Sequence, residues 1–515
     1  MKKIVILDLS KDIDLKIENS LIFEISYGSA NLKNCKKINK NFFSDKKYKV
    51  YKKNINNLLG NFYKHINNNN FNNDISTLEL FNQRNDKTQL FNKIFNLIEI
   101  LKFVKYKKIN IIEIVTDDFT FLNTYESLKI KNLKVTSIKK EKISKSFINY
   151  FFKTIFFFIK TLIIVVLLKF FKNRNFNIKK LNEGCLSIFP LFYKKKKHFF
   201  YKKNLININF QITDETHLGN SLIDNIKSLF EVKKLNNTVS AESFIDVSDI
   251  CINFFSSLNN YKLIRIANKY NFKINNIDFS DQFKNLFFNS LLNYNKLEIY
   301  RHALKKIFDY YNIKKFHFYL FEYNFGYYLS KLIRKISPST VLIGYQHGIY
   351  SERLMWQNFS KKINLKDYFP NEIVCKYPYS LEAYKKNFKD LKIYLDKNTK
   401  KEKKIKRIKF IKNQYNVYLG LHDCYNMINE LRNFKKDKMF ILNFHPKMKY
   451  KNKLNLNQNI KIKTLKLSEK RKKILSSTST IPYQLHPFEK FHIIVPKNII
   501  PLNPKIFDQF IIKNN

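Results

Sequence analysis

Short apolar runs that stop at Gly, Pro or clustered hydroxyl residues recur along this chain, and they predict alternating strands and helices. The chain opens with a basic pair and a first apolar run over residues 4–7, too short for a secretion signal and read as a strand. Residues 108–115 predict a strand ending in Thr116-Asp117-Asp118, residues 119–128 a helix, and residues 133–138 another strand, the rhythm of a doubly wound sheet. Residues 185–192 and 205–212 are apolar enough for strands and 218–230 reads as a helix, whereas 235–281 gives no clear pattern. The alternation then sharpens, with helix 300–311, strand 315–321, helix 325–336 and strand 340–345. Beyond Pro370 a second unit is expected, with strand 372–375, helix 380–388, a Lys-rich loop over 397–412, strand 416–421, helix 424–434, and strands 439–444, 473–476 and 492–495.

One segment departs from this alternation. Residues 149–171 hold sixteen Phe, Ile, Leu or Val in 23 positions, the length of a bilayer crossing. At about −0.4 kcal/mol each, these outweigh roughly +3 for the central Lys160, so insertion is energetically open. Ser146, Lys153 and Lys160 nevertheless recur every seven residues, with Thr154 and Thr161 beside the lysines. That polar stripe predicts a helix lying in the membrane plane. Basic flanks on both sides give no orientation, and a buried core helix remains the plain alternative.

Composition alters this picture little. The 515 residues are too many for one core and suggest two or three domains at about 150 residues each. A formal net charge of +54 predicts attraction to polyanions. The lysines are dispersed among Asn, Ile and Phe, however, without a basic helix, zinc-ligand spacing or RNP-like strand, so nucleic acid is not expected as a partner. Five widely spaced cysteines with no CxxC pair suggest neither disulfides nor zinc and fit a reducing cytoplasm.

The candidate chemistry lies at predicted strand ends, where open α/β sheets gather their ligands. Gln346-His347-Gly348 offers a donor, a titratable group and a close backbone approach, though a tight turn with a solvated His would look the same. Glu322 can serve as a general base if burial raises its pKa, or can orient a hydroxyl; lone carboxylates are more often surface groups. His445-Pro446 closes strand 439–444, where a His can donate to phosphate. Ser476-Ser477-Thr478-Ser479-Thr480 closes the next strand, and a helix cap would need only one of those hydroxyls.

In order and spacing, Glu322, the strand end at 343–348, residues 371–375 before Tyr377, His445-Pro446 and the Ser/Thr cluster resemble a bacterial family of surface-carbohydrate, O-antigen-related biosynthesis proteins. That family looks like GT-B glycosyltransferases, akin to polysialyltransferases, Kdo transferases and the CDP-glycerol glycerophosphotransferases. The resemblance covers residues 185–495 and is best from 315 onward. It implies an α/β, GT-B-like fold of two Rossmann-like, doubly wound lobes with the hydrophobic helix inserted in the first. Residues 1–148 would be the N-terminal part of an acceptor lobe, 149–171 the membrane helix, 172–365 the rest of that lobe, and 366–515 the nucleotide lobe.

It also implies roles. His445, Pro446, Ser477, Thr478, Ser479 and Thr480 would hold the phosphate of a cytidine nucleotide, and Gln484 would stand where GT-B enzymes often meet the ribose with an acid. Glu322 and His347 would be catalytic, and Gln346 and Gly348 would line the acceptor cleft. The family's second acidic residue, five positions after the first, is here Tyr327. The implied reaction is transfer of a sugar from a nucleotide donor, with CMP-linked sugars the first candidates, to a lipid-linked or saccharide acceptor at the inner face of the cell membrane. No cofactor or metal is expected, since the only DxD spacing, Asp12-Ile13-Asp14, is far from the nucleotide motifs. Transfer of a polyol phosphate and a non-catalytic assembly scaffold are the alternatives.

Overall fold

The computed structural model describes residues 3–9, 13–15, 17, 20–26, 30–31, 36–37, 44–67, 77–78, 80–81, 90–109, 111–138, 146–170, 181–187, 205–210, 237–319, 322–346, 348–350, 368–396, 413–420, 424–432, 437–444, 458–462, 471–477, 479, 481–485 and 491–495. The protein is α/β, and three parallel sheets follow one another along the described chain.

The first sheet holds β1 (Lys3–Asp8), β2 (Ser20–Glu24), β3 (Lys36–Lys37), β4 (Ile112–Thr116) and β5 (Leu133–Ser137), in the order β3-β2-β1-β4-β5. Helices α1 (Asp45–Asn67), α2 (Leu90–Tyr106) and α3 (Leu122–Glu126) accompany it. Alternate residues of β1 enter two different cores, Ile4 and Ile6 on one face, Val5 and Leu7 on the other. A parallel sheet buried on both faces reads in sequence as a continuous apolar run, and this one does.

The second sheet contains β6 (Glu183–Ser187), β7 (Ile206–Asn209), β8 (Thr238–Ser240), β9 (Lys315–Tyr319), β10 (Val341–Tyr345), β11 (Glu372–Cys375) and β12 (Lys392–Leu395), ordered β8-β7-β6-β9-β10-β11-β12. The third contains β13 (Gln414–Tyr418), β14 (Met439–Asn443), β15 (Ile460–Ile462), β16 (Lys472–Ser476) and β17 (Phe491–Ile494), ordered β15-β14-β13-β16-β17. All three sheets thus begin at a central strand, run outward to one side, return, and run out to the other. That winding places a topological switch point between the first and fourth strand of each.

Helix α4 (Ser146–Phe170) joins the first sheet to the second. After β8 come α5 (Val247–Asn259), α6 (Tyr261–Asn268), α7 (Ser280–Glu298) and α8 (Tyr300–Tyr311), which account for the stretch whose pattern was unclear in sequence. Asn312 adopts a left-handed conformation, φ 49°, and ends α8 three residues before β9. Helices α9 (Asn324–Ile336) and α10 (Pro378–Asn387) link strands of the second sheet, and α11 (Cys424–Arg432) and α12 (Ile481–Leu485) belong to the third.

Two expectations change. Strand β11 does not open the last unit: Ile343, Gly344 and Tyr345 of β10 pair with Glu372, Ile373 and Val374, and β12 pairs with β11 in turn. Sheet membership therefore switches between Leu395 and Gln414, not at Pro370. The described residues of 1–148, expected as part of the next lobe, supply a sheet of their own and no strand of the second. The helix expected over 218–230 and the Lys-rich loop lie outside the described residues.

Candidate functional site

The carboxyl edge of the second sheet carries the first cluster. Strand β9 stops at Tyr319 beside Tyr345 of β10, and Glu322 follows in the turn before α9, buried to 1% exposure. Its Oε1 accepts the Gly348 N–H at 2.9 Å, which fastens the turn carrying the 346–348 motif. Gln346 is also buried. Its backbone N–H donates to the Val374 carbonyl at 3.0 Å and its Oε1 accepts the Lys376 N–H at 3.0 Å, so the β10 and β11 ends are locked together. The Gln346 Nε2 is left without a hydrogen-bond partner.

Glu322 is surrounded by groups held neutral. Burial, with the Glu322 carboxylate adding to it, pushes the Cys375 thiol up to about 12. Burial and the same carboxylate also hold the Tyr384 phenol well above its ordinary value. Tyr327, five residues after Glu322, is buried with its ring 5.4 Å from that of Phe369. An aromatic core contact occupies that position. His347 lies outside the described residues.

The second cluster closes the third sheet. Ser477 follows β16, one strand from β13 across the switch point, and is buried with no hydrogen-bond partner for its Oγ. Ser479 is used differently: its N–H donates to the Ser476 carbonyl at 3.2 Å and its Oγ accepts the Ile481 N–H at 3.1 Å. Among the described residues of the cluster, Ser479 meets the capping role. On the other side of β13, the Leu419 N–H donates to the Asn443 carbonyl at 3.0 Å, at the end of β14 that leads to His445. His445, Pro446, Thr478 and Thr480 lie outside the described residues, and Gln484 is located by its backbone on α12.

The two edges meet. The Tyr483 ring of α12 is 6.3 Å from that of Tyr377 and 6.2 Å from that of Tyr379, and those residues directly follow Lys376, the partner of Gln346. Helix α12, which begins right after the Ser/Thr cluster, therefore packs on the chain that closes the Gln346 turn.

Three polar groupings were not visible as such in sequence. One face of the second sheet carries His317, whose Nδ1 is 3.2 Å from the Tyr345 hydroxyl and whose Nε2 is 3.5 Å from a Glu183 carboxylate oxygen. The nearby Cys185 thiol donates to Asn207 Oδ1 at 2.8 Å. In the third sheet, Asn416 and Lys473 are register partners and both are buried. The Asn416 carboxamide has no hydrogen-bond partner. At the switch point of the first sheet, Lys93 lies 2.7 Å from Asp8 and 2.6 Å from Asp118, while Tyr125 and Thr116 donate to Asp8 Oδ2 at 2.7 and 3.1 Å. Burial would lower the Lys93 ammonium, but the two carboxylates outweigh it and raise it to about 12. The signal available for these was a polar residue inside an apolar strand or helix, which in a Lys- and Asn-rich chain is too common to select. Among the described residues no group of three or more His, Cys, Asp or Glu side chains is arranged to hold a metal ion.

No protein-family model matches the chain, and no curated protein does. Among solved structures, the chain is similar at 8% identity and a TM-score of 0.33 to one titled "Crystal Structure Analysis of the Glycotransferase of kitacinnamycin", over 64% of this chain and 86% of that one. A score that low does not establish a common fold, and the likeness carries no weight for function.

Proposed function

We propose that the chain is a GT-B-type glycosyltransferase of bacterial surface-polysaccharide biosynthesis, working at the cytoplasmic face of the membrane. It would move a sugar from a nucleotide donor, CMP-linked in the first instance, to a lipid-linked or saccharide acceptor. The observation that carries this reading is the seam at Tyr377, Tyr379 and Tyr483, which joins the carboxyl edges of two doubly wound sheets, each bearing one of the motif clusters. A donor held on one sheet and an acceptor on the other would then react between them.

In this reading the third sheet is the nucleotide lobe. Its Ser477 hydroxyl, free of protein partners, would donate to the donor phosphate together with His445 and the neighbouring Thr478 and Thr480, while Pro446 fixes the turn and Gln484 reaches the ribose. The second sheet is the acceptor lobe, with Gln346 and Gly348 at the cleft and its unpaired Nε2 available to a sugar hydroxyl. Glu322 or His347 would take the proton from the attacking hydroxyl as its oxygen bonds to the anomeric carbon and the nucleotide leaves with the bonding electrons. Preorganised donors at the phosphate would stabilise that departing charge.

The test is turnover of a donor panel by the purified chain: CMP-, UDP- and GDP-sugars, with CDP-glycerol for polyol-phosphate transfer. Release of CMP from a CMP-sugar above the uncatalysed rate is expected. Turnover of CDP-glycerol alone would replace the reading with polyol-phosphate transfer, and release from none would leave a non-catalytic scaffold.

A further inference from the structure

Helix α4 is long and apolar enough to cross a membrane, over Tyr150–Lys169, yet its surroundings rule a crossing out. Residues before it bond directly to residues after it: the Leu80 N–H donates to Ser290 Oγ at 2.9 Å, and Gln282 Nε2 donates to the Thr120 carbonyl at 2.8 Å. The Phe62 ring of α1 likewise packs at 4.7 Å from Phe272 and 5.2 Å from Phe287. A bilayer between those partners would break one continuous core.

The polar stripe turns inward in part: Lys153 stays exposed, whereas the stripe residues after it face the protein. Thr154, Lys160 and Thr161 are buried, Thr161 Oγ1 donates to the Phe157 carbonyl at 2.8 Å, and the Tyr150 hydroxyl receives Asn295 Nδ2 of α7 at 2.6 Å. What α4 shows to the outside is apolar: Phe152 is 63% exposed, Phe156 68% and Ile159 52%. Helix α5 continues the surface, with Ile252 57% and Phe255 64% exposed. The two helices are joined by the edge-to-face pair Phe158 and Phe254, 5.4 Å apart.

The flank toward α7 is cationic. Lys153 and Lys160 follow one side of α4, and the Lys296 ammonium of α7 sits 6.0 Å over the Phe157 ring. Burial, with Lys160 and Lys153 adding repulsion, holds Lys296 down at about 8. An apolar ridge edged by lysines matches the boundary between acyl chains and anionic headgroups. It does not match a second copy of the chain, because an isologous contact would set this cationic flank against itself on a molecule of net charge +54.

We propose that α4 and α5 form one in-plane docking face for an anionic bilayer, with the Phe152, Phe156, Ile159 and Phe255 ridge among the acyl chains and Lys153 and Lys296 against the lipid phosphates, while Lys160 stays buried behind them. The proposal rests on the membrane-facing part of the proposed function and not on its transfer chemistry. It fixes the orientation of the enzyme on the membrane: the polar side of α4 is bound to the protein, so the protein lies wholly on one side.

Flotation of the full chain with vesicles tests it. The chain should partition onto phosphatidylcholine vesicles containing phosphatidylglycerol at least about tenfold more than onto phosphatidylcholine alone. Phe156→Ser combined with Ile159→Ser, both exposed changes, should lower binding to the anionic vesicles by about tenfold or more with the melting temperature kept. Lys153→Glu should lower binding only where phosphatidylglycerol is present. Cys251, exposed on α5 four residues before Phe255, supplies a footprint: its alkylation, read on its own peptide by mass, should slow when anionic vesicles are added. Equal binding of the ridge variant, indifference to lipid charge, or unchanged Cys251 labelling would each overturn the proposal, as would a dimer that the ridge variant splits with no vesicle binding. A chain that docks but turns over no donor would keep the face and remove the transferase reading.

Discussion

Lys93, Asp8 and Asp118 form the most buried ion cluster among the described residues of the first sheet, and each is fixed by a different element: α2, the end of β1 and the turn after β4. Its cost is desolvation and its gain depends on complete pairing. Lys93→Met should therefore destabilise the chain by about 3 to 5 kcal/mol, read from urea unfolding, because two carboxylates lose their cation while one stays fully buried. The pH dependence has a definite sign. Burial would raise the Asp118 carboxyl, but Lys93 and the hydrogen bonds from Thr120 outweigh it and hold it below the ordinary range. Such a group adds stability above its unfolded pKa and loses it as the pH falls through the folded one. The variant should lose part of the wild-type slope between about pH 5 and pH 2. At this scale the sequence is uneven: the apolar neighbours of Glu322 hint at the burial it shows, whereas Lys93 looks like one more solvated lysine and is a core cation. Left-handed turns are also disguised, because a chain with eight glycines places Asn132, Asn237, Asn312 and Asn413 there instead.

Most described strands and helices were legible from periodicity, since a doubly buried strand must be apolar at every position and a helix must repeat. What periodicity does not carry is partnership. Strand β11 has the length and apolarity of an opening strand; the backbone ladder to β10, flanked by Asn371 Oδ1 accepting the Leu342 N–H at 2.9 Å and by the Gln346 lock, fixes its place. For α4 periodicity shows the stripe but not its side: Thr154, Lys160 and Thr161 face the protein while Phe152, Phe156 and Ile159 face outward, the reverse of the soluble rule. Lys296 makes that face measurable. Its folded pKa of about 8 is below the ordinary lysine value, so between about pH 8 and 10.5 the folded state binds fewer protons than the unfolded state and this group makes stability rise with pH. Below that window its burial is a net cost. Lys296→Met should accordingly stabilise the lipid-free chain at pH 7 and reduce the rise in stability toward pH 10, the difference from wild type isolating this group from other titrations.

Across the whole molecule, three sheets with the same winding give three switch points, and chemistry distributes unequally among them. The first is filled by its own ion cluster, whereas the third leaves Ser477 unpaired after β16 and the second holds Glu322 after β9, the strands that border their switch points. Motif order pointed to the second and third sheets; the contact between them runs through Tyr377, which the motif marks, and through Tyr379 and Tyr483, aromatic residues with no signal among so many others. If the third sheet holds the nucleotide, His445→Ala should weaken CMP binding in calorimetry by about tenfold or more, and Ser477→Ala should weaken it less, since a neutral hydroxyl contributes about 0.5 to 1.5 kcal/mol against about 1.5 to 3 for a charge-assisted contact. On the proposed reading, proton transfer falls to the opposite edge, at Glu322 or His347. The Glu322 carboxylate already binds the Gly348 N–H, and that contact gives two separable outcomes. If Glu322 is the base, Glu322→Gln keeps an acceptor for Gly348 but cannot take a proton, so kcat should fall by about 10² to 10⁴ with CMP affinity little changed. If Glu322 only holds the turn and His347 is the base, Glu322→Gln should retain most activity, and His347→Ala should carry the loss and remove the acid limb of the pH–rate profile. Near-wild-type kcat in both variants would take the proton transfer away from this edge altogether.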